Sequence, residues 1–219
     1  MLRRVSIAVL LLLAPRMGRA GEILDQLAAT VNGQVVLASD IDEELRYEYF
    51  SAKRPLTDIS PVDEKDALNR LIDQQLVREQ MHSADFKAVD AGAVEKAFET
   101  FKSDYGSSES WIAALASYGI TEVAVRGHIE TELNQLRLID LRLRPSIQVD
   151  AESVRNYYEQ KVLPKLPPGQ HPSLQDSTPA IRELLIQQEM NASLDSWLQA
   201  LRAGAKIRIF AQLTGDQHK

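Results

Sequence analysis

The chain has no cysteine, few histidines and few aromatic residues, and these shortages exclude several kinds of chemistry. The absence of cysteine among 219 residues rules out disulfides, thiolate metal sites, a lipid-modified cysteine and a cysteine nucleophile. The histidines are His82, His128, His171 and His218, and none stands at a spacing typical of a catalytic or metal site. Nucleophile elbows, phosphate-binding glycine loops and zinc-protease helices are also missing. We therefore predict a protein that is not an enzyme, with no catalytic residue, no metal and no cofactor.

Two groups of potential ligands have simpler explanations. His128 and Glu130 are two residues apart, a spacing that does not place both side chains on one face of a helix. We interpret His128 as part of a solvated helix surface. Four acidic residues within 40–44 are predicted to lie in the first turns of a helix, where they complement the positive end of its dipole.

Residues 1–20 have the features of a secretory signal peptide. They combine a basic start, an apolar run over residues 5–14 and small residues at Gly18 and Ala20. The apolar run is about half of the ~20 residues needed to span a bilayer. We therefore predict a cleaved signal peptide and a periplasmic protein without stable membrane insertion, rather than an uncleaved anchor.

The chain is acidic, with a net charge of −6. Removal of residues 1–20 takes away four arginines and no acid, which leaves 21 basic and 31 acidic residues and a charge of −10. A negative surface opposes binding to phosphate backbones. Nucleic acid is therefore not an expected partner.

A β-hairpin is predicted near the start of the mature chain. Residues 27–31 and 34–37 flank Asn32-Gly33, the dipeptide that favours a type I′ turn. Because two strands alone are marginally stable, a third is needed, and residues 206–210 alternate polar and apolar side chains. We expect the two ends of the chain to meet in one small antiparallel sheet.

The region between these strands has the periodicity of helices. The residues predicted to cap or begin six of them are Ser39, Ser60, Asp90, Ser108, Thr121 and Asp150. A last helix is predicted to begin at Ser177 or Thr178 with Pro179, and to end at Gly204. The expected fold class is mainly α, a multi-helix domain with a small antiparallel sheet.

Five of the nine prolines lie within residues 164–179, which have no apolar periodicity. We predict an extended surface linker there. The expected organisation is a main domain over residues 21–163, the linker, and a C-terminal helix and strand over residues 180–219 that pack back on the main domain.

Aromatic residues are the candidates for contact with a polypeptide partner. We select Tyr47, Tyr49, Phe50, Phe98, Phe101, Trp111 and Tyr118. Most of them stand at helical spacing, which is more typical of core residues. Tyr47 and Tyr49 cannot both face one core from positions two apart on a helix, so we expect at least one to be partly exposed.

Three segments resemble the chaperone part of SurA, a periplasmic chaperone of outer-membrane protein precursors, and of its relatives. They are residues 29–41, residues 68–76, and the closing helix at residues 181–185 and 197–202. The resemblance covers nearly the whole mature chain and implies that the final helix and strand return to the N-terminal domain. Members of this family commonly carry parvulin prolyl-isomerase domains of about 90 residues before the last helix. Residues 164–179 are too few to bury the apolar surface that such a domain needs, so isomerase activity is not transferred.

The resulting hypothesis is an ATP-independent holdase for unfolded polypeptides, in particular outer-membrane protein precursors. Two alternatives stay open: a degenerate or partner-assisted prolyl isomerase, and an envelope adaptor that binds one folded partner. The closing strand could also be exchanged between two subunits, which would give a strand-swapped homodimer.

Overall fold

The computed structural model describes residues 25–82, 86–165 and 172–210. The predicted signal peptide, the middle of the predicted linker with His171, and the end of the chain with His218 lie outside these ranges. Within them, no helix is both long enough and apolar enough to span a membrane.

Three short antiparallel strands form one sheet. They are β1 (Leu27–Val31), β2 (Gln34–Leu37) and β3 (Ile207–Ile209), in the spatial order β2-β1-β3. The turn between β1 and β2 has positive φ angles at Asn32 (51°) and Gly33 (92°), as a type I′ turn requires. The Asn32 N–H donates to the Lys206 carbonyl at 3.0 Å, and the Asn32 side-chain oxygen accepts from the Lys206 N–H at 2.8 Å. The predicted hairpin and the meeting of the two chain ends are confirmed.

The described residues are otherwise mostly helical, which confirms the mainly α fold class. The α-helices are α1 (Ala38–Ser51), α2 (Pro61–Met81), α3 (Ala91–Ser103), α4 (Ser108–Tyr118), α5 (Glu122–Leu143), α6 (Ala151–Tyr157) and α7 (Leu174–Gly204). Single 3-10 turns occur at Leu56–Asp58, Arg144–Ser146 and Leu163–Lys165, and a π-helical turn, Tyr158–Val162, follows α6.

Side-chain caps explain where most helices begin. Ser60, Asp90, Thr121 and Asp150 each accept a hydrogen bond from the backbone N–H three residues later, as predicted. Helix α4 begins at the predicted Ser108. It ends at Gly119, whose φ of 64° is left-handed and where a Cβ would come within 2.8 Å of an Arg46 guanidinium nitrogen.

Two predicted helix starts are wrong. Helix α1 begins at Ala38 rather than after a Ser39 cap, because the Asp40 carboxylate accepts the Leu37 N–H at 2.8 Å. Helix α7 begins at Leu174, where the Ser173 hydroxyl accepts the Asp176 N–H at 3.1 Å. Pro179, expected at the start of that helix, lies inside it.

The predicted linker is therefore not an extended segment in its described parts. Leu163–Lys165 forms a 3-10 turn, and residues 174–179 belong to α7. The two sides of this region are joined by the Tyr158 hydroxyl, which donates to the Pro172 carbonyl at 2.7 Å.

Three apolar clusters form the interior. The first joins the sheet to α1 and α2, and includes Val31, Tyr49 and Ile72. The second joins α1, α3, α4 and α5 around Phe98 and Trp111. The third joins the end of α5 to α2 and α7; its buried members are Val77, Leu138, Leu143, Met190 and Trp197.

An ion pair fixes the returning helix α7 on α2. The Arg202 guanidinium donates to the Asp73 carboxylate at 2.5 Å and to the Asn69 carbonyl at 2.9 Å. These bonds lie just before β3 enters the sheet, so they help to set the position of the closing strand.

Candidate functional site

An open cleft lies where β2, α1, α2 and α5 meet. Its volume is about 380 Å³. The residues that line it are aliphatic (Val35, Val36, Leu71), small (Ala124, Gly127, Thr131), amide-bearing (Gln74, Gln75) and charged or titratable (Asp40, Glu43, Glu44, Arg78, His128). The cleft thus offers apolar contact and hydrogen-bonding groups side by side.

Glu44 is the buried acid of the cleft, with a side chain only 10% exposed. Its carboxylate accepts a hydrogen bond from the Gln74 amide at 3.3 Å and lies 3.6 Å from Nε of Arg70. Burial raises the pKa of Glu44, although nearby His128 and Arg70 favour its charged form. The first-turn dipole explanation given to residues 40–44 is therefore incomplete for this residue.

His128 belongs to the wall of the cleft, and its interpretation as a solvated surface residue is wrong. Its ring stacks on Tyr47, with centroids 4.0 Å apart and an angle of 5° between the planes. One ring nitrogen lies 3.9 Å from a Glu43 oxygen and the other 3.9 Å from a Glu44 oxygen. Burial lowers the pKa of His128 despite these two acids. The side chain is held between α1 and α5 by stacking.

These groups do not form a nucleophile–base pair. The distances from His128 to the two glutamates exceed those of a hydrogen bond. In the described part of the chain, no three His, Cys, Asp or Glu side chains are grouped so that they could hold a metal ion. What the lining does offer is binding through apolar contacts, amides and charge.

The seven aromatic candidates lie in the interior beside the cleft rather than in it. Tyr47, Phe50, Phe98 and Trp111 are buried in the second cluster, and Tyr49 is buried in the first. Phe101 and Tyr118 are partly buried against that second cluster. Whether any of these rings touches a polypeptide stays a prediction.

Tyr47 and Tyr49 are both buried, so the expectation that one would be partly exposed is wrong. They do face different directions, as their spacing requires. Helix α1 lies between two clusters: Tyr49 packs with the sheet and α2, whereas Tyr47 packs with α3 and α5. A helix buried on two sides has no need of an exposed aromatic residue.

No protein-family model matches the sequence, and no curated protein matches it in sequence. The structure is nevertheless similar to a solved structure from Campylobacter jejuni, where PEB4 and Cj1289 are described as two structurally related SurA-like chaperones. The TM-score is 0.54 at 12% sequence identity, and the match covers 85% of this chain and 100% of that one. The chain has a SurA-like fold. The resemblance of the sequence motifs is thereby confirmed at the level of the fold.

Sequence reasoning missed most of the cleft of this SurA-like fold, although two signals were present. Glu44 stands at helical spacing with Ile41 and Leu45, so a carboxylate interrupts a stripe that is otherwise buried. In α5, the small residues Ala124 and Gly127 share one face with Thr131. Small side chains on one helix face leave room for a recess.

Proposed function

We propose that this protein is an ATP-independent holdase of the periplasm that binds unfolded outer-membrane protein precursors. The observation that carries the proposal is the open cleft of about 380 Å³ with mixed apolar and amide lining. The SurA-like fold supports the same function. The signal-peptide features of residues 1–20 support export to the periplasm.

The lining suits an extended polypeptide of variable sequence. Val35, Val36 and Leu71 offer contact to apolar side chains, while Gln74 and Gln75 can donate to and accept from a peptide backbone. Backbone contacts do not depend on the client's sequence. A recess of this size holds only a few residues, so binding is weak and reversible, and clients leave by mass action when a tighter acceptor is present.

The negative surface of the mature chain keeps client complexes dispersed. The aromatic residues selected from the sequence have a secondary place in this proposal. Phe101 and Tyr118 are partly exposed, whereas the other five are buried, and Tyr47 supports the cleft wall by stacking on His128.

The first experiment measures light scattering of a denatured porin diluted into buffer with equimolar mature protein. We expect scattering to fall strongly, and to fall also for an unrelated denatured client. Unchanged scattering for both clients would refute the holdase, and protection of one client alone would indicate an adaptor. A protease-coupled peptide assay should show no prolyl isomerisation above background, which separates the holdase from a degenerate isomerase.

The second experiment fills the cleft. A Cβ added at Gly127 meets no atom within 4 Å, and the open cleft leaves room for further carbons, so Gly127→Leu should fold and occupy the recess with its side chain. Replacing a helical glycine should even stabilise α5 by about 1 kcal/mol. We expect this variant to need several-fold more protein for the same suppression of scattering. The control, Ala116→Leu, places a leucine on an exposed site of α4 outside the cleft and should act as wild type.

A further inference from the structure

The outer edge of β3 exposes backbone groups that no strand of the described chain pairs. On either side of β3, the Lys206 carbonyl accepts from the Asn32 N–H and the Phe210 N–H donates to the Ala28 carbonyl at 2.9 Å. Arg208 stands opposite Thr30. Because neighbouring residues of an antiparallel strand point their backbone groups to opposite sides, the N–H and C=O of Ile207 and Ile209 point away from β1.

The opposite edge of the sheet is not equally open. Gln34 of β2 pairs with Val31 of β1 beside the two-residue turn, and the backbone groups of Gln34 point towards β1. The backbone N–H and C=O of the next residue, Val35, therefore point away from β1. The next outward N–H, that of Leu37, already donates to Asp40 at 2.8 Å. Val35 alone offers too few free backbone groups to pair with an added strand. In β3, Ile207 and Ile209 both offer them.

Apolar side chains accompany the open backbone of β3. Ile209 stands opposite Ala29, on the face of the sheet that packs on α2, yet it is 56% exposed. Phe210 is 52% exposed, and Leu27 lies at the same end of the sheet and is also exposed. A strand added beside β3 would cover this apolar end.

The charges beside β3 indicate which kind of strand can pair with its outer edge. Lys206 and Arg208 are exposed cations at this edge of an otherwise acidic protein. Two copies of β3 paired about a twofold axis at Ile207 or Arg208 would set cation opposite cation, which is destabilising. Three strand residues also bury far less area than a stable dimer needs. A segment with an acidic residue opposite Arg208 and apolar residues on either side meets both the charge and the apolar surface.

We propose that the outer edge of β3 binds an extended client segment of alternating apolar and acidic residues, which adds to the sheet as a fourth strand. This proposal rests on the proposed client-binding function and names a second contact for it, apart from the cleft. Both sites offer aliphatic side chains, but they differ in polar groups: the cleft adds amides and three acids, whereas the edge adds the two cations and unpaired strand backbone.

The test uses fluorescence anisotropy with the mature full chain and a labelled seven-residue peptide that alternates valine and glutamate. We expect N-methylation of alternate backbone nitrogens to weaken binding about tenfold when the methylated nitrogens face β3. Methylation of the other set should leave it nearly unchanged. Replacing glutamate by lysine in the peptide should weaken binding severalfold at low salt. Equal affinity for all four peptides would overturn the proposal.

Two variants test the protein side. Ile209→Pro removes one outward N–H while the bonds that join β3 to β1, made by residues 206, 208 and 210, remain; the peptide should bind about tenfold more weakly. Arg208→Glu should reverse the preference, so that the lysine peptide binds better than the glutamate peptide. The reversed preference of Arg208→Glu tests the site even if Ile209→Pro does not fold. No reversal would overturn the proposal.

The experiments distinguish a wrong assignment of the β3 edge from a wrong holdase function. If the wild type suppresses porin aggregation but Arg208→Glu leaves peptide preference unchanged, the holdase stands and the edge site does not. If Ile209→Pro converts a dimer to a monomer in sedimentation while peptide affinity stays the same, the edge binds a second copy and the proposal is wrong.

Discussion

At the scale of single residues, His128 makes the stability of the fold depend on pH. The pKa of His128 is lowered below its ordinary value of 6.5 by burial, so the folded protein favours the neutral ring. The unfolded chain therefore takes up a proton at higher pH than the folded one does. Its contribution to stability is complete above pH 6.5 and is lost as pH falls from there toward the lowered pKa.

We expect His128→Gln to remove this part of the pH dependence. The free energy of unfolding, measured in urea at a series of pH values from 7 to 5, should fall more steeply for wild type than for the variant. The pKa of Glu44 is raised, so that this acid acts in the opposite direction, toward greater stability in acid. Because His128 also favours the charged form of Glu44, the difference between the two curves reports on His128 together with its coupling to Glu44. Parallel curves would contradict the lowered pKa.

Phe98 should be among the most sensitive single positions for folding. It is fully buried, its ring meets Trp111 edge-on at 5.7 Å, and the Arg126 guanidinium lies 3.4 Å from its centroid. Phe98→Ala should lower the free energy of unfolding by about 3–5 kcal/mol. Val123→Ala, at a side chain that is 80% exposed, is the matched control and should change it by less than about 0.5 kcal/mol. Equal effects of the two changes in urea unfolding would place Phe98 outside the core.

At the scale of elements, Pro179 is a defect inside α7. Its nitrogen cannot donate to the Gln175 carbonyl, the bond that a regular helix would make there. The side chain is exposed, so replacing it removes no core contact. We expect Pro179→Ala to stabilise the protein, by up to about 3 kcal/mol if all of the helix participates in global unfolding. An unchanged thermal midpoint would mean that the first turns of α7 open before the rest.

Local signals in the sequence predicted most helices and the sheet. A cap such as Asp90 or a turn such as Asn32-Gly33 acts through neighbours in the chain, so its effect can be read without the tertiary structure. The prediction of where α7 begins was wrong because two local signals competed. The Ser173–Asp176 cap prevailed over the preference of Pro179 for a first turn.

The candidate site could be predicted much less well than the elements. The cleft combines side chains from β2, α1, α2 and α5, and their proximity follows only from packing. The helical spacing of the aromatic residues correctly indicated that most of them are buried. It could not show that α1 is packed on two sides. Tyr47 and Tyr49 are both buried for that reason.

At the scale of the whole molecule, long helices connect the three apolar clusters. Helix α5 has 22 residues and is about 33 Å long. It contributes Val125 and Ile129 to the second cluster, and Leu138 and Leu143 to the third. Because one helix cannot lose half of its packing without weakening the rest, we expect the described residues to unfold as one cooperative unit.

The two tryptophans allow this expectation to be measured, since Trp111 lies in the second cluster and Trp197 in the third. Trp197→Phe leaves a fluorescent reporter in the second cluster, and Trp111→Phe leaves one in the third. Each variant is unfolded in urea and followed by fluorescence and by far-ultraviolet circular dichroism. Trp111→Phe should be less stable, because it loses the 2.6 Å bond from the indole N–H to Glu122, so each fluorescence midpoint is compared with the dichroism midpoint of the same variant. We expect the two midpoints to coincide in both variants. A fluorescence transition of Trp197 at lower urea than the loss of helix would show that α7 detaches first, and that the closing strand β3 is released before the N-terminal clusters unfold.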